Sequence, residues 1–356
     1  MSLYDGLAIT VRRFLEIVLP FMAGYYFFRK SEDFTQLLIA VFFAGLVYSV
    51  LMLYEVRFSP QLHSTFYGYF PHSFAQQVRG GGFRPVVFLQ HGLWVAFFAM
   101  MMTIAAFSLW RHNKQEPAVG SVVSPYFLPI ALYFVIVLVF CRSLGSLIYA
   151  LFLIPVVVVL PPRMQVYMGA ALCAIALFYP LLRVLELFPK QEIVYLANFI
   201  DQERAQSLNF RFTNDQLMME RALDRPFFGW GSWGRGLIYH GEFSRKTVVV
   251  DGYWIGILAQ SGLAGFVGLF ALLGWPLLRY ARLMMKRTVE PTAVVAGCFL
   301  LAAINMIELL PNSTLPQVSW LIAGGFLAMT QQAHPKSGDA AASKPLPERR
   351  QRRTVL

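Results

Sequence analysis

Two arginines border a run of three glycines in the segment QQVRGGGFRP, where Arg79 and Arg84 enclose Gly80, Gly81 and Gly82. A guanidinium is a planar donor that matches phosphate oxygens, and glycines let backbone N–H groups approach an anion closely. The segment therefore predicts an anion-binding site. The alternative is a flexible loop with ordinary interfacial arginines, and the sequence leaves both open.

A second group of candidates follows further along the chain. Arg211 and Arg225 lie on a stretch whose apolar residues have mixed helical spacing, which predicts an amphipathic surface helix that ends at Pro226. Arginines on such a helix are also common as simple interface residues. Asp251 comes next in VVVDGYW, and a carboxylate among apolar side chains can act as a general base.

Some ionisable residues lie within or beside apolar runs, where charge is costly and function is a common reason for it. Arg142, in FCRSLGS, lies between two apolar segments, and its alternative role is to close a hairpin by donating to carbonyls. His91, in FLQHGLW, has the alternative role of a hydrogen-bonding residue between helices. We expect Glu16 and Glu308 to pair with arginines outside the site.

Gly229, Gly231 and Gly234 have the G-x-G-x-x-G spacing of a dinucleotide-binding turn. That motif requires a strand before it and a long helix after it. Here a helical stretch precedes the glycines and RGLIYHGEFSRK follows them. We interpret the motif as a glycine turn that leads from the predicted surface helix towards Asp251, and we expect no nucleotide there.

The composition indicates a polytopic membrane protein. Of the 356 residues, 57% are hydrophobic and 14% are charged, and the mean hydropathy is +0.55, whereas about a quarter of the residues in soluble domains are charged. The three cysteines lie in apolar runs without metal-ligand spacing, so neither a disulfide framework nor a zinc site is expected. In a membrane protein, the net charge of +11 is evidence on which side of the bilayer each loop lies, rather than a sign of nucleic-acid binding.

Nine apolar segments approach the roughly 20 residues that a spanning helix needs. They cover residues 14–28, 35–54, 86–109, 125–141, 144–160, 164–182, 253–278, 292–310 and 315–330. The predicted fold is an all-α polytopic membrane domain over residues 1–330, with about nine transmembrane helices. Two external loops, 55–85 and 183–250, interrupt it, and the larger contains amphipathic helices. A disordered basic tail, 331–356, is predicted to follow on the cytoplasmic side.

The orientation follows from the short loops, because lysine and arginine are enriched on the cytoplasmic side. If nine spans alternate, the loops with Arg29, Arg111, Arg163 and Arg279 share one side with the basic tail. Both long polar segments then lie on the opposite side. Arg12, next to an external N-terminus, departs from this pattern.

The segments RALDRPFFGWGSWG and VDGYWIGILAQSGLAG together resemble the C-terminal region shared by bacterial O-antigen ligases and O-antigen or exopolysaccharide polymerases. In that family an arginine opens an external helix, a Pro-x-x-Gly-x-Gly turn ends it, and a His-Asn or Asp-Asn pair begins the next span. CRSLGS is similar to the family's Ser-Arg-Gly break, and RGGGFRP to its first-loop arginine segment. Gly252 departs from the family's usual asparagine, and the usual member has further spans at its N-terminus.

The resemblance implies an enzyme of the outer leaflet that moves a glycan from a polyprenyl diphosphate to an acceptor sugar. It implies that Arg84 and Arg211 bind the lipid diphosphate and that Asp251 stands where ligases carry a histidine. We expect Asp251 to accept the proton of the incoming hydroxyl and to lie close to Arg211. Further substrate-binding candidates are Arg79, His91, Arg142, Arg225 and Trp254. Trp254 is expected to stack on a sugar ring, or else to belong to an interfacial aromatic belt.

Aspartate rather than histidine at position 251 favours a polymerase of lipid-linked repeat units that makes O-antigen, capsule or exopolysaccharide. The alternatives are a ligase that transfers the glycan to a lipid or protein acceptor and, in another class, a lipid or glycan transporter. The chain has no Asp-rich cluster suited to Mg²⁺, so we expect a metal-independent reaction without a cofactor.

The expected partners are the lipid-linked glycan, membrane lipids, and flippase and chain-length regulator proteins, without nucleic acid. The expected location is the bacterial inner membrane, as a multi-pass protein whose active site faces the periplasm.

Overall fold

The computed structural model describes residues 3–116, 124–200, 202–232, 234–240, 245–246 and 248–332. The predicted basic tail lies outside the described residues, except for its first two positions, Gln331 and Gln332. Within these ranges the chain is mostly helical, which confirms the helical fold class.

Each of the nine predicted apolar segments contains a helix, although residues 86–91 and 315–316 are not helical. The helices are α1 (Leu3–Arg13), α2 (Leu19–Phe27), α3 (Ser31–Phe58), α4 (Leu62–Tyr67), α5 (Gly92–Gln115), α6 (Phe127–Phe140), α7 (Leu144–Val159), α8 (Pro162–Val184), α9 (Lys190–Ile200), α10 (Gln202–Leu223), α11 (Tyr253–Met285), α12 (Ala293–Glu308) and α13 (Gln317–Gln332). A π-helical turn, Phe14–Val18, joins α1 to α2. Two antiparallel hairpins lie in the polar segments: β1 (Val78–Arg79) pairs with β2 (Gly82–Phe83), and β3 (Tyr239–His240) with β4 (Arg245–Lys246).

Within the described residues, four helices are long and apolar enough to cross a bilayer: α3, α5, α8 and α11. The apolar helices α6, α7 and α12 are shorter. Together these helices indicate a membrane protein. The predicted number of nine spans is not confirmed.

Helix α5 lies at the centre of the bundle, where it packs against α3, α6, α7 and α12. Its residues from Ala99 to Leu109 are all buried, and they include Ala99, Ala105 and Ala106, whose small side chains allow neighbouring helices to approach. Helix α12 is buried along almost its whole length as well. The ends of these two helices therefore place polar side chains inside the protein, where they shape the candidate site.

The short basic connections meet at the other end of the bundle. The hydroxyls of Ser31 and Thr292 lie 2.8 Å apart, and Arg163 pairs with Glu290. Arg111 donates to a backbone carbonyl near the end of α7. These contacts bring loops together that the alternation of spans assigned to one side.

Candidate active site

Helix α11 is broken at Gly262, where φ is 64° and ψ is −164°. The break leaves backbone groups without helical partners, and the glycine-rich turn supplies those partners. The N–H groups of Trp230 and Gly231 donate to the carbonyls of Ala259 and Gln260, at 2.9 and 2.8 Å. The G-x-G-x-x-G segment thus docks by its backbone onto a broken helix.

On the other side of the break, the N–H groups of Leu263 and Ala264 donate to the carbonyls of Pro226 and Phe227, at 2.7 and 3.1 Å. A Cβ at Gly229 would lie 2.6 Å from backbone atoms of α11. The three glycines of the motif have φ between 66° and 79°, a region that disfavours other residues. The spacing therefore serves a turn between α10 and α11, as predicted.

Arg183, at the end of α8, anchors α10 to the bundle. Its guanidinium donates to the hydroxyl of Tyr179 at 3.0 Å and to the carbonyl of Phe212 at 3.4 Å. It also lies 3.8 Å from the carboxylate of Asp215, and both side chains are almost fully buried. Burial raises the pKa of Asp215 to about 7; Arg183 opposes this rise, and the negative charge of Asp251 adds to it.

Arg211 and Asp251 form an ion pair in which Nε lies 3.3 Å from Oδ2. The two side chains are 29% and 34% exposed, so the pair is open to a ligand. Arg211 lies in the middle of α10 and not at its start, which differs from the pattern that the resemblance implies. The N–H of Val249 donates to Asn214 Oδ1 at 3.2 Å and so fixes the approach to Asp251 against α10.

The residues that follow α12 hold the start of α11. The first two N–H groups of α11 donate to the carbonyls of Asn312 and Leu309, at 3.2 and 3.3 Å, so two helix ends satisfy each other's free backbone groups. Ser313 Oγ donates to the carbonyl of Asp251 at 2.9 Å. A Cβ at Gly252 would lie 2.4 Å from a carbonyl oxygen of the same turn. A side chain at position 252 would therefore require this turn to shift.

Glu308, the last residue of α12, is a buried carboxyl of the site that the sequence interpretation left out. It is 2% exposed, and its Oε1 accepts from Asn312 Nδ2 at 2.9 Å. The hydroxyl of Tyr149 and the positive charge of Arg211 both act on it. Arg211 pairs with Asp251, and its positive charge also acts on the carboxyl groups of Glu308 and Asp215.

The RGGG segment is a tight hairpin, not a flexible loop. Gly80 and Gly81 have φ of 52° and 72°, and a two-residue hairpin turn with positive φ at both positions favours glycine. The guanidinium of Arg142 donates to the carbonyls of Arg79 and Gly80, and Arg84 donates to the carbonyl of Arg142 at 3.0 Å. These contacts give Arg142 a structural role that links the α6–α7 turn to the hairpin.

Glu55 explains why α5 begins at Gly92 and not at residue 86 as predicted. Its Oε2 accepts from the N–H groups of Val86 and Val87, both at 2.7 Å, and its Oε1 accepts from Leu62 at 2.8 Å. Val87 has a φ of 50°, which is costly for a β-branched residue. The buried carboxylate thus holds the segment after Arg84 in a strained turn.

His91 caps α5 by accepting at Nδ1 from a backbone N–H at 3.0 Å. Burial, then the neighbouring His72 and the charges of Arg84, Arg211 and Arg79, lower the pKa of His91 to about 4. The imidazole is therefore neutral at pH 7. Charges from both polar segments, those of Arg79, Arg84 and Arg211, thus act on this one side chain.

Two predicted residues lie apart from this cluster. The Arg225 guanidinium lies 4.2 Å from the ring centre of Trp230, which Arg221 also contacts, in a cavity of about 830 Å³ whose lining includes neither Arg211 nor Asp251. Trp254 is completely buried, with its ring edge-on to Tyr179 at 5.1 Å. It offers no ring face to a sugar in this structure.

No family model matches the chain, and neither a curated protein nor a solved structure matches it. Among the described residues, no group of three His, Cys, Asp or Glu side chains is placed to hold a metal ion. The site itself offers arginine charges that suit a diphosphate and a half-exposed carboxylate that suits proton transfer.

Proposed function

We propose that the protein transfers a glycan from a polyprenyl diphosphate to a sugar hydroxyl, and that it polymerises lipid-linked repeat units into a surface polysaccharide. The observation that carries the proposal is the open ion pair of Arg211 with Asp251. The charges of Arg79, Arg84 and Arg211 all act on the same side chain, His91, and this supports a shared anion-binding region. Such a site combines binding of a diphosphate with a nearby proton acceptor.

The proposed reaction begins when the donor's phosphates replace the Asp251 carboxylate at the Arg211 guanidinium. The acceptor hydroxyl then attacks the anomeric carbon, and the bond from that carbon to the diphosphate oxygen breaks. Arg211 stabilises the charge that grows on the leaving diphosphate. Asp251, released from the ion pair, takes the hydroxyl proton. Without donor, the charges of Arg211 and Asp251 neutralise each other in the ion pair.

The buried carboxyls support this exchange. The charge of Arg211 acts on the carboxyl groups of Asp215 and Glu308. Negative charge on these groups weakens the binding of a weakly charged anion to Arg211. A diphosphate offers two negative phosphate groups and bidentate geometry, which an arginine matches well. The site therefore favours a diphosphate over a single carboxylate.

We place the site on the periplasmic face of the bacterial inner membrane, in a multi-pass protein of about nine spans. The basic loops around Arg111 and Arg163, at the other end of the bundle, support this orientation. The proposed partners are the lipid-linked glycan, membrane lipids, a flippase and a chain-length regulator.

A ligase would use the same chemistry with a different acceptor, so the two enzymes differ only in what receives the glycan. A transporter is favoured by one observation, the broken helix α11, since broken helices often bind transported substrates. In this chain, backbone groups at the Gly262 break bond to residues 226–231. Glycosyl transfer therefore has the better support.

The test is to incubate the purified full chain with lipid-linked oligosaccharide and to separate the products by size. We expect a ladder of longer glycans with wild type and with Arg163→Ala, a control at the opposite end of the bundle. Arg211→Ala is expected to insert normally and form no product. Transfer of one glycan to a different acceptor indicates a ligase. A folded wild-type protein that binds donor and forms no product contradicts the proposal.

A further inference from the structure

Helices α9 and α10 enclose a groove of about 650 Å³, and its lining includes neither Arg211 nor Asp251. Among the described residues, the groove is lined mainly by uncharged polar side chains, and Lys190 is the one charged side chain of that described lining. Six of the lining residues are amides: Gln191, Asn198, Gln202, Gln206, Asn209 and Gln216. An amide provides both donors and acceptors, and so does a sugar hydroxyl.

These amides are available to a ligand. None of the six forms a side-chain hydrogen bond with another described residue, and five of them are exposed: Gln191, Asn198, Gln202, Gln206 and Asn209. Tyr195, 65% exposed, and Phe212 add aromatic rings. A flat apolar ring face with a polar edge is suited to packing on a sugar ring.

The groove lies beside the candidate active site on the same helix. Asn209, Phe212 and Gln216 have helical spacing and line the groove, whereas Asp215 is buried in the protein and Arg211 faces Asp251. The two faces of α10 thus present opposite chemistry. One carries charges suited to a diphosphate, and the other carries neutral amides that such an anion does not require.

We propose that this groove binds the glycan chain itself, as a neutral oligosaccharide several sugars away from the lipid diphosphate. The ligand class rests on the proposed glycan transfer. Its role is to hold the growing chain between successive transfers, so that one product molecule is extended repeatedly.

The first test is a binding measurement. The glycan of the lipid-linked donor is released by mild acid, labelled with a fluorophore at its reducing end, and titrated with the full chain in lipid nanodiscs by anisotropy. We expect the variant Gln206→Ala/Asn209→Ala/Gln216→Ala to bind at least about tenfold more weakly, since it removes three side chains that can hydrogen-bond to the glycan. Gln115→Ala and Ser207→Ala, which change exposed residues outside the groove, serve as controls with wild-type affinity.

Two further results separate this proposal from the proposed reaction. Arg211→Ala should keep affinity for the released glycan, because the released glycan lacks the diphosphate. The triple variant should perform the first transfer at the wild-type rate and yield shorter polymers. Wild-type affinity and wild-type chain length in the triple variant would overturn the proposal that the groove binds the glycan. Absence of any polymer from wild type would instead overturn the proposed glycan transfer. The binding measurement would still show whether the groove binds the glycan.

A second variant guards against misfolding. Gln206→Glu/Gln216→Glu keeps the side-chain size and adds two negative charges on a face that is already open to solvent. We expect an unchanged melting temperature together with weaker glycan binding. Unchanged glycan binding in this variant would also count against the groove.

Discussion

The two polar segments outside the helix bundle use arginine in opposite ways. In the first, the guanidinium of Arg142 donates to carbonyls of the β1–β2 hairpin, and Arg84 donates to the carbonyl of Arg142. In the second, Arg211 faces the Asp251 carboxylate across 3.3 Å and remains 29% exposed. An arginine bonded to several carbonyls holds a shape, whereas an arginine paired with a carboxylate can exchange it for a phosphate.

Apart from Arg211→Ala, the largest loss of transfer rate is expected for Asp251→Asn. The amide cannot take the hydroxyl proton, so we expect the transfer rate to fall by about 10² to 10⁴. Donor affinity should hold or rise, because Arg211 loses its competing carboxylate. Single-turnover transfer and donor binding, measured separately, check both parts. A variant with wild-type turnover removes Asp251 from the reaction.

Arg142→Ala should lower the stability of the protein more than it lowers donor binding or the transfer rate. Its loss leaves two hairpin carbonyls without a charged donor, and we expect the free energy of unfolding to fall by about 2 kcal/mol. Thermal unfolding of the variant in detergent measures this change. Unchanged stability combined with lost donor binding would return Arg142 to the set of ligand-binding residues.

Asp215→Asn should change the pH dependence of donor binding. The pKa of Asp215 is raised to about 7, above its usual value. The contribution of the protonated Asp215 to the free energy of unfolding is therefore complete at low pH and is lost as pH rises through 7. Ionisation also adds a negative charge near Arg211. We therefore expect donor affinity to fall a few-fold between pH 6 and pH 8 in wild type and to stay level in the variant.

At pH 6 the two proteins should bind alike, because the protonated acid and the amide are both neutral; this comparison is the internal control. Identical slopes for wild type and Asp215→Asn across that pH range would show that another group titrates.

The smallest effect is expected for Arg225→Ala. Arg225 lies on Trp230, in a cavity whose lining does not include the Arg211–Asp251 pair. We expect a change in transfer rate of about twofold at most, in line with about 0.5 kcal/mol for surface substitutions. Initial rates at saturating and limiting donor test this. A large loss would extend the site into that cavity.

Local patterns predicted much of this structure. The length and apolarity of the nine segments predicted helices, and helices are found at each of them. The residues around Gly229 excluded a dinucleotide turn because no strand precedes them, and the turn indeed follows α10. The proximity of Arg211 and Asp251 was also predicted from their positions around that turn, and they form an ion pair.

Long-range contacts account for what the sequence did not predict. Glu55 sets the start of α5 through bonds to residues about 31 positions away, and no local pattern encodes such a contact. Asp215 and Glu308 gain their importance from Arg183 and Arg211, which other helices supply. Trp254 was predicted to contact a sugar ring, but it is completely buried. An aromatic residue at the start of an apolar helix is equally compatible with a core and with an interface.

The central claim, that Arg211 binds ligand while Arg142 holds structure, is tested most directly by donor affinity. Binding of a polyprenyl diphosphate is measured for wild type, Arg211→Ala and Arg142→Ala, below the melting temperature of all three. We predict at least about tenfold weaker binding for Arg211→Ala, since a charged hydrogen bond contributes about 1.5–3 kcal/mol, and a much smaller change for Arg142→Ala. Equal losses in both variants, or a loss in Arg142→Ala alone, would contradict the account.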